Sequence, residues 1–440
     1  MTAMVQARTV RWVPCSIALL LACLVAGQAS GQAAPQRLWQ VRFDLDHQDD
    51  RATVGRFFKR HVVAGGTTRF SSANGGERLT WLSQWNGDDG APRWSREVDG
   101  ISVPVRLEAD RKRLFLAGYG KRPLQALDGR DGRTLWESRR GPELLSLAWL
   151  DVAVQGHIVY ATGKVQAKGT PGQVAIEARR ARDGKPLWSL REPATAAVGG
   201  GWDEGRLLLV DGPRLFIGGS QTTGQGSQLG FVSSRRTADG EELWRLESPD
   251  FNRLGTMEVA GNRLLLIQWP TDGTSRLRVM ALDASSGSQL WSVERGADHP
   301  VSYKPGGAIV SGAILVVAID VVGGQAQGRP NDLLYLALRI ADGSELWSDR
   351  VKGAYPSGNN HVAVHGSTAV GGGVLFQAGG TAERVFRGYG RATGGLRWEL
   401  RDGPFWALVT RVKADRLLVA GSVLESPTDA LVRVYSLPPD

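Results

Sequence analysis

From residue 36 onward the chain alternates short apolar stretches with turns rich in glycine and polar residues, on a spacing that fits strands rather than helices. The stretch before Trp188 shows the plan: LLSLAWLDVAV, a turn at Gln155-Gly156, HIVYATGKV, a polar loop, QVAIEARR, a turn, and KPLWSLRE. This predicts four antiparallel strands of alternating polarity. The runs RLLLV, RLFIGGS, LGFVSS and ELWRL repeat it, as do MEV, RLLLIQW, LRVMALD and QLWSV.

Tryptophan marks the period. Segments closing at Trp94, Trp136, Trp188, Trp244, Trp291, Trp347 and Trp398 each carry glycine four residues earlier, at Gly90, Gly132, Gly184, Gly240, Gly287, Gly343 and Gly394. The residue before that glycine is Asp in five cases, Ser286 in one and Thr393 in another. Ten residues before the tryptophan stands, in most segments, Ala, Gly or Ser. Glycine supplies the positive φ of a tight hairpin turn without steric cost. The small residue leaves room for the indole, whose large area knits one repeat to the next. Successive motif tryptophans lie 42 to 56 residues apart, which suits one four-stranded propeller blade each.

The ends complete the count. RLWQVRF, around Trp39, is a last-strand motif without a preceding hairpin, and VTRV, RLLVAGSVL and ALVRVYSL are three strands lacking their last. Pairing them makes an eighth blade and removes the open edges of an unclosed sheet. The fold expected is all-β: one eight-bladed propeller over residues 34–440, with seven blades plus stray strands as the alternative.

The pattern A-x-D-x-x-T-G-x-x-x-W resembles the repeat of quinoprotein (pyrroloquinoline-quinone-type) propellers, over essentially all of 34–440. It is a loose version: the early Asp stands at Asp128 and Asp283, but is replaced by Arg180, Arg236 and Arg339, and Thr precedes the glycine only at Thr393. The same repeat occurs in dehydrogenases and in propellers that bind no quinone, such as the lipoprotein subunit of the bacterial outer-membrane β-barrel assembly machinery. The resemblance therefore implies architecture rather than activity. A quinone dehydrogenase would imply a vicinal disulfide, calcium held by Glu, Asn and Asp, and in some cases a C-x-x-C-H haem motif. No Cys-Cys pair and no C-x-x-C-H occur in this chain.

Composition narrows the setting. Hydrophobic residues make up 42% and charged residues 22% of 440, with 57 glycines, which is globular and not disordered. Arg8 and Arg11 precede the apolar run SIALLLACLVAG and the small-residue stretch QASGQAAPQ, so residues 1–33 read as a cleaved export signal, cut after Ala29 or Ala33. Leu20-Leu21-Ala22-Cys23 also resembles a lipoprotein box, which makes a periplasmic or envelope-anchored protein the expectation. Both cysteines, Cys15 and Cys23, fall in this leader, so the mature chain has no disulfide and no thiol nucleophile. The net charge of +9 is mostly arginine scattered without a dense block, which points away from nucleic acid and toward a solvated surface or an acidic partner.

Candidate chemistry is sparse. The six histidines are His47, His61, His157, His299, His361 and His365. On a strand, His361 and His365 would lie about 13 Å apart, too far to share a metal. FDLDHQDD holds Asp44, Asp46, Asp49 and Asp50, but lacks the turn glycine and closing Glu of a calcium loop, and is expected to be a solvated connection. KVQAKGTPGQ, SQTTGQGSQ, WPTDGTS and VGGQAQGRPND should gather on one face of the disc as solvated turns or as a binding surface. GAYPSGNN (353–360) is a candidate pocket segment. Trp202 is a candidate exposed anchor, while Trp85, on the third strand of the first blade, is expected to pack. No Ser-His-Asp order, paired catalytic carboxylates or phosphate loop stands out. The expectation is a non-enzymatic, monomeric scaffold that binds envelope proteins, without cofactor or metal. A quinone- and calcium-dependent oxidoreductase, or another enzyme using the channel, is the alternative.

Overall fold

A computed structural model describes residues 33–43, 49–69, 78–192, 204–222, 228–249, 254–268, 277–295, 302–322, 332–352, 354–355, 362–376, 382–403, 405–423 and 429–439. These residues form an eight-bladed β-propeller of antiparallel four-stranded blades. Blade 1 runs Asp49–Phe58, His61–Arg69, Arg78–Asn86 and Pro92–Val98, from the channel to the rim. The innermost strands of blades 2 to 6 are Ile101–Ala109, Leu144–Gln155, Glu204–Asp211, Leu254–Ala260 and Ser302–Ser311. In blade 7 the innermost strand is broken into Ala354–Tyr355 and Val362–His365, both paired with Thr368–Phe376. Blade 8 takes Phe405–Lys413, Arg416–Val423 and Ala430–Ser436 from the C-terminal side and Gln36–Phe43 from the N-terminal side. The seam closes the ring through pairs from Gln36↔Ser436 to Phe43↔Ala430.

Polarity alternates only at the rim. The outermost strands Pro186–Arg191 and Gln289–Arg295 are exposed or half-buried at every position, whereas Leu264–Gln268 and Leu315–Ile319 are buried without interruption. The middle strands have a neighbouring blade on each face, so both sets of side chains leave water, as in a sheet covered on both sides. Eight apolar clusters result, one between each pair of adjacent blades. The turn expected at Gln155-Gly156 sits one residue later, on Gly156 and His157, with Gly156 at φ 60°.

The glycine–tryptophan motif has a single geometry. All seven motif glycines have φ between 69° and 78°. The preceding Asp, Ser or Thr caps the backbone N–H two residues on, as from Asp131 to Arg133, Asp239 to Glu241, Ser286 to Ser288 and Thr393 to Gly395. A short polar side chain that bonds its own turn explains the choice of these residues. Each motif tryptophan lies opposite the residue ten positions earlier, as in Ala126↔Trp136, Ala281↔Trp291 and Gly388↔Trp398. Except at Trp398, whose next blade carries no motif glycine, the indole then crosses to the next blade and covers its turn glycine. A Cβ on Gly184 would meet the Trp136 ring at 2.6 Å, and one on Gly394 would meet Trp347 at 2.5 Å. Six indoles, those of Trp39, Trp136, Trp188, Trp244, Trp291 and Trp347, also donate N–H to a carbonyl of that turn at 2.8–3.1 Å. Trp94 departs from the rule. The residue opposite it is Gln84, whose amide takes the corresponding carbonyl, that of Gly129, and the buried Trp94 N–H has no acceptor among the described residues.

Candidate functional site

The innermost strands of all eight blades enclose a central cavity of about 570 Å³. One position on each of these strands is equivalent, because each pairs with the third residue or its counterpart on the second strand. From blade 1 to blade 8 it is occupied by Arg56, Glu108, Ala153, Leu209, Glu258, Ile309, Ala363 and Arg411. Charge is therefore concentrated on blades 8, 1 and 2, with one acid alone on blade 5. Apolar residues hold blades 3, 4, 6 and 7.

Bulges re-aim the strands that carry these groups. Register shifts fall at Ala52/Val54, Pro104/Arg106, Trp149/Asp151, Gly205/Leu207 and Leu254/Thr256. Arg106 and Asp151 follow such shifts and form an ion pair at 3.1 Å, with Arg106 also 3.4 Å from Glu108. Arg56 pairs with Glu108. Asp151 further accepts the backbone N–H of Val152 at 2.9 Å and of Leu208 at 3.0 Å, which ties blade 3 to blade 4. Burial nevertheless pushes the Asp151 carboxyl above its usual range, against the pull of Arg106.

Two channel charges find no partner of this kind. Glu258 has no cation within ion-pair distance among the described residues, and burial raises its pKa to about 7 despite the more distant Arg106. Arg411 donates only to the Thr410 carbonyl, at 3.1 Å. Burial and the like charges of Arg106 and Arg56 lower its pKa to about 10. The Thr410 hydroxyl beside it is buried and has no hydrogen-bond partner among the described residues.

A second feature lies at the end of blades 2 and 3 where their second and third strands join. Val105 and Leu145 fall within register shifts, at Pro104/Arg106 and Leu144/Ser146, and both side chains are exposed, Leu145 at 58%. Exposed Tyr119 pairs with Ala148 across the blade boundary, and the Lys164 ammonium sits 5.6 Å from its ring centre. Alongside is a cleft of about 300 Å³ formed by Lys121, Arg122, Arg139, Arg140, Gly141, Pro142 and Leu144. Arg122 and Arg139 share Glu137, and Arg140 donates to the Leu145 carbonyl.

The candidates read from sequence fare unevenly. His365 lies on Val362–His365, with Nδ1 2.5 Å from the Ala414 carbonyl, and His361 lies outside the described residues. Asp49 and Asp50 begin the first strand of blade 1 instead of a solvated connection, because that strand extends to pair with Thr68 and Arg69. Asp44 and Asp46 are outside the described residues, as are Trp202, residues 1–32 and most of 353–360, of which Ala354–Tyr355 forms a short strand. Of the four polar loops, KVQAKGTPGQ is described, while the centres of the other three are not. Trp85 is 1% exposed and packs between blades 8 and 1. The charged channel positions were missed. Their signal is a charge in the interior of a strand that otherwise reads as apolar, as in WLDVAV, MEV and VTRV.

The quinone and calcium of the alternative reading do not match this donor set. Glu108 and Asp151 are already engaged by arginine, and among the described residues no three His, Cys, Asp or Glu side chains are grouped to hold a metal. A family model described as outer membrane protein assembly factor BamB matches residues 28–221 and 172–422. No curated protein matches in sequence. Among solved structures, BamB from Moraxella catarrhalis is similar at 13% identity and TM-score 0.52, covering 92% of this chain and 100% of that one. Quinohemoprotein alcohol dehydrogenase ADHIIG from Pseudomonas putida HK5 is similar at 11% identity and TM-score 0.60, over 92% of this chain and 76% of that one. A europium-containing methanol dehydrogenase gives 10% identity and TM-score 0.58, over 92% and 93%. At such identities the structural likeness carries the fold alone.

Proposed function

Because the chain belongs to the family of outer membrane protein assembly factor BamB, we propose that it is an envelope scaffold without catalytic activity, docking proteins on the end of blades 2 and 3. The observation that carries this reading is the exposed group Val105, Tyr119 and Leu145 beside a cleft with four cationic side chains. Exposed aliphatic and aromatic side chains thrown out by bulges, rimmed by cations, fit a partner surface with an apolar tip and acidic flanks. Export by residues 1–33 is part of the reading, with Cys23 as the site of a lipid anchor if the box is used.

The test is in-cell photo-crosslinking from Leu145 and Tyr119, with mass spectrometry of the products and Leu290 as a control on the rim. The expected products are outer-membrane barrel proteins or their assembly subunits, lost in Leu145→Glu and Arg140→Glu variants that keep the wild-type melting temperature. Equal yields from Leu290 would remove the docking face. Turnover of an alcohol after adding quinone and calcium would overturn the scaffold reading itself.

A further inference from the structure

Arg411 on blade 8 and Glu258 on blade 5 line one cavity three blades apart, and neither has an ion pair among the described residues. A buried carboxylate can shed its charge by taking a proton; a guanidinium cannot. An unpaired cation placed among Arg56, Arg106 and Lys413 therefore costs stability in the empty protein. The neighbouring acids Glu108 and Asp151 offset it only in part, since Glu108 is held by Arg56 and Asp151 by Arg106. On the shorter arc between the two poles the wall is apolar, with Ile309 on blade 6 and Ala363 on blade 7.

We infer that the channel is a binding site for a small zwitterion with an apolar body, its carboxylate held by Arg411 on blade 8 and its ammonium by Glu258 on blade 5. A guanidinium offers a carboxylate two parallel N–H donors in one plane, a charge-assisted pairing stronger than a neutral hydrogen bond. The ammonium of the ligand gives Glu258 a counter-charge that none of the described residues supplies as an ion pair. The two poles select against plain anions and plain amines, because either leaves one buried group unpaired.

The test is calorimetric titration of the full mature chain with β-alanine, γ-aminobutyrate and ε-aminocaproate, a series that varies the span between the charges. Butyrate, hexanoate and hexylamine are the controls. At least one ω-amino acid should bind saturably, and more tightly than its alkyl carboxylate. Arg411→Met should weaken that binding about tenfold or more while melting no lower than wild type, since it removes an unpaired buried charge. Glu258→Gln should bind ω-amino acid and alkyl carboxylate alike. Should Arg411→Met fail to fold, Glu258→Gln decides. Absence of saturable binding at every span would overturn the site. So would affinity unchanged by Arg411→Met. Equal affinity of the wild type for ω-amino acid and alkyl carboxylate would reduce it to a simple anion site and overturn the zwitterion.

Discussion

The rim and the channel of this propeller are built from the same strands, yet they use repetition in opposite ways. At the rim seven of the eight blade junctions place an indole on a turn glycine, and those seven turns share φ within ten degrees of one another. At the channel the equivalent position changes from Arg to Glu to Ala to Leu within four blades. Packing explains the uniformity, because the spacing between blades is common to the whole ring and one large ring system fits it. Nothing comparable constrains the channel. Its side chains meet across open space, so each blade was free to diverge, and charges that weaken the fold persist there.

The sharpest way to break this contrast is to remove a rim contact. Trp136 is buried, bonded to the Ala181 carbonyl and seated on Gly184, so Trp136→Ala should lower stability by about 3–5 kcal/mol. The same substitution at Trp244 or Trp291, which are half-buried, belongs at the lower end of that range. Denaturant unfolding that matches wild type would show that the indoles do not dock the blades. In the channel the sign should reverse. Glu258 binds a proton more readily when folded, so stability falls as pH rises from the usual carboxylate range to about 7. Glu258→Gln, a mimic of the protonated acid, should match wild type near pH 4 and gain up to about 3 kcal/mol above pH 7. Melting curves across pH check this; a constant difference would remove the strain assigned to the channel. The smallest effect tests the exception at the rim. Trp136→Phe should cost about 1 kcal/mol more than Trp94→Phe, because only the first gives up an indole hydrogen bond.

The rim was legible in the sequence because turn chemistry and bulk recur at fixed spacing. Gly184 with Asp183 before it and Trp188 after it describe a turn, its cap and its lid. The channel was not legible, because what matters there is which blades face each other. Arg411 and Glu258 are separated by three repeats, and only the equivalence of strand positions puts them in one cavity. Asp49 and Asp50 misled for a related reason: a polar run looks like a loop until its pairing with Thr68 and Arg69 is seen. The exposed Val105 and Leu145 could not be told from core residues, since a bulge decides which way they point.

The seam in blade 8 has a kinetic consequence. Phe43 pairs with Ala430, so the contact that shuts the ring joins residues about 390 apart, at a loop-closure cost near 5 kcal/mol. During synthesis or export from the N-terminus, Gln36–Phe43 waits as an unpaired edge until the last strand of the chain arrives. The seam is thus a latch, the last contact to form and the first to open. Joining the two ends and cutting the circle between blades 4 and 5 should move that latch around the ring while leaving every blade unchanged.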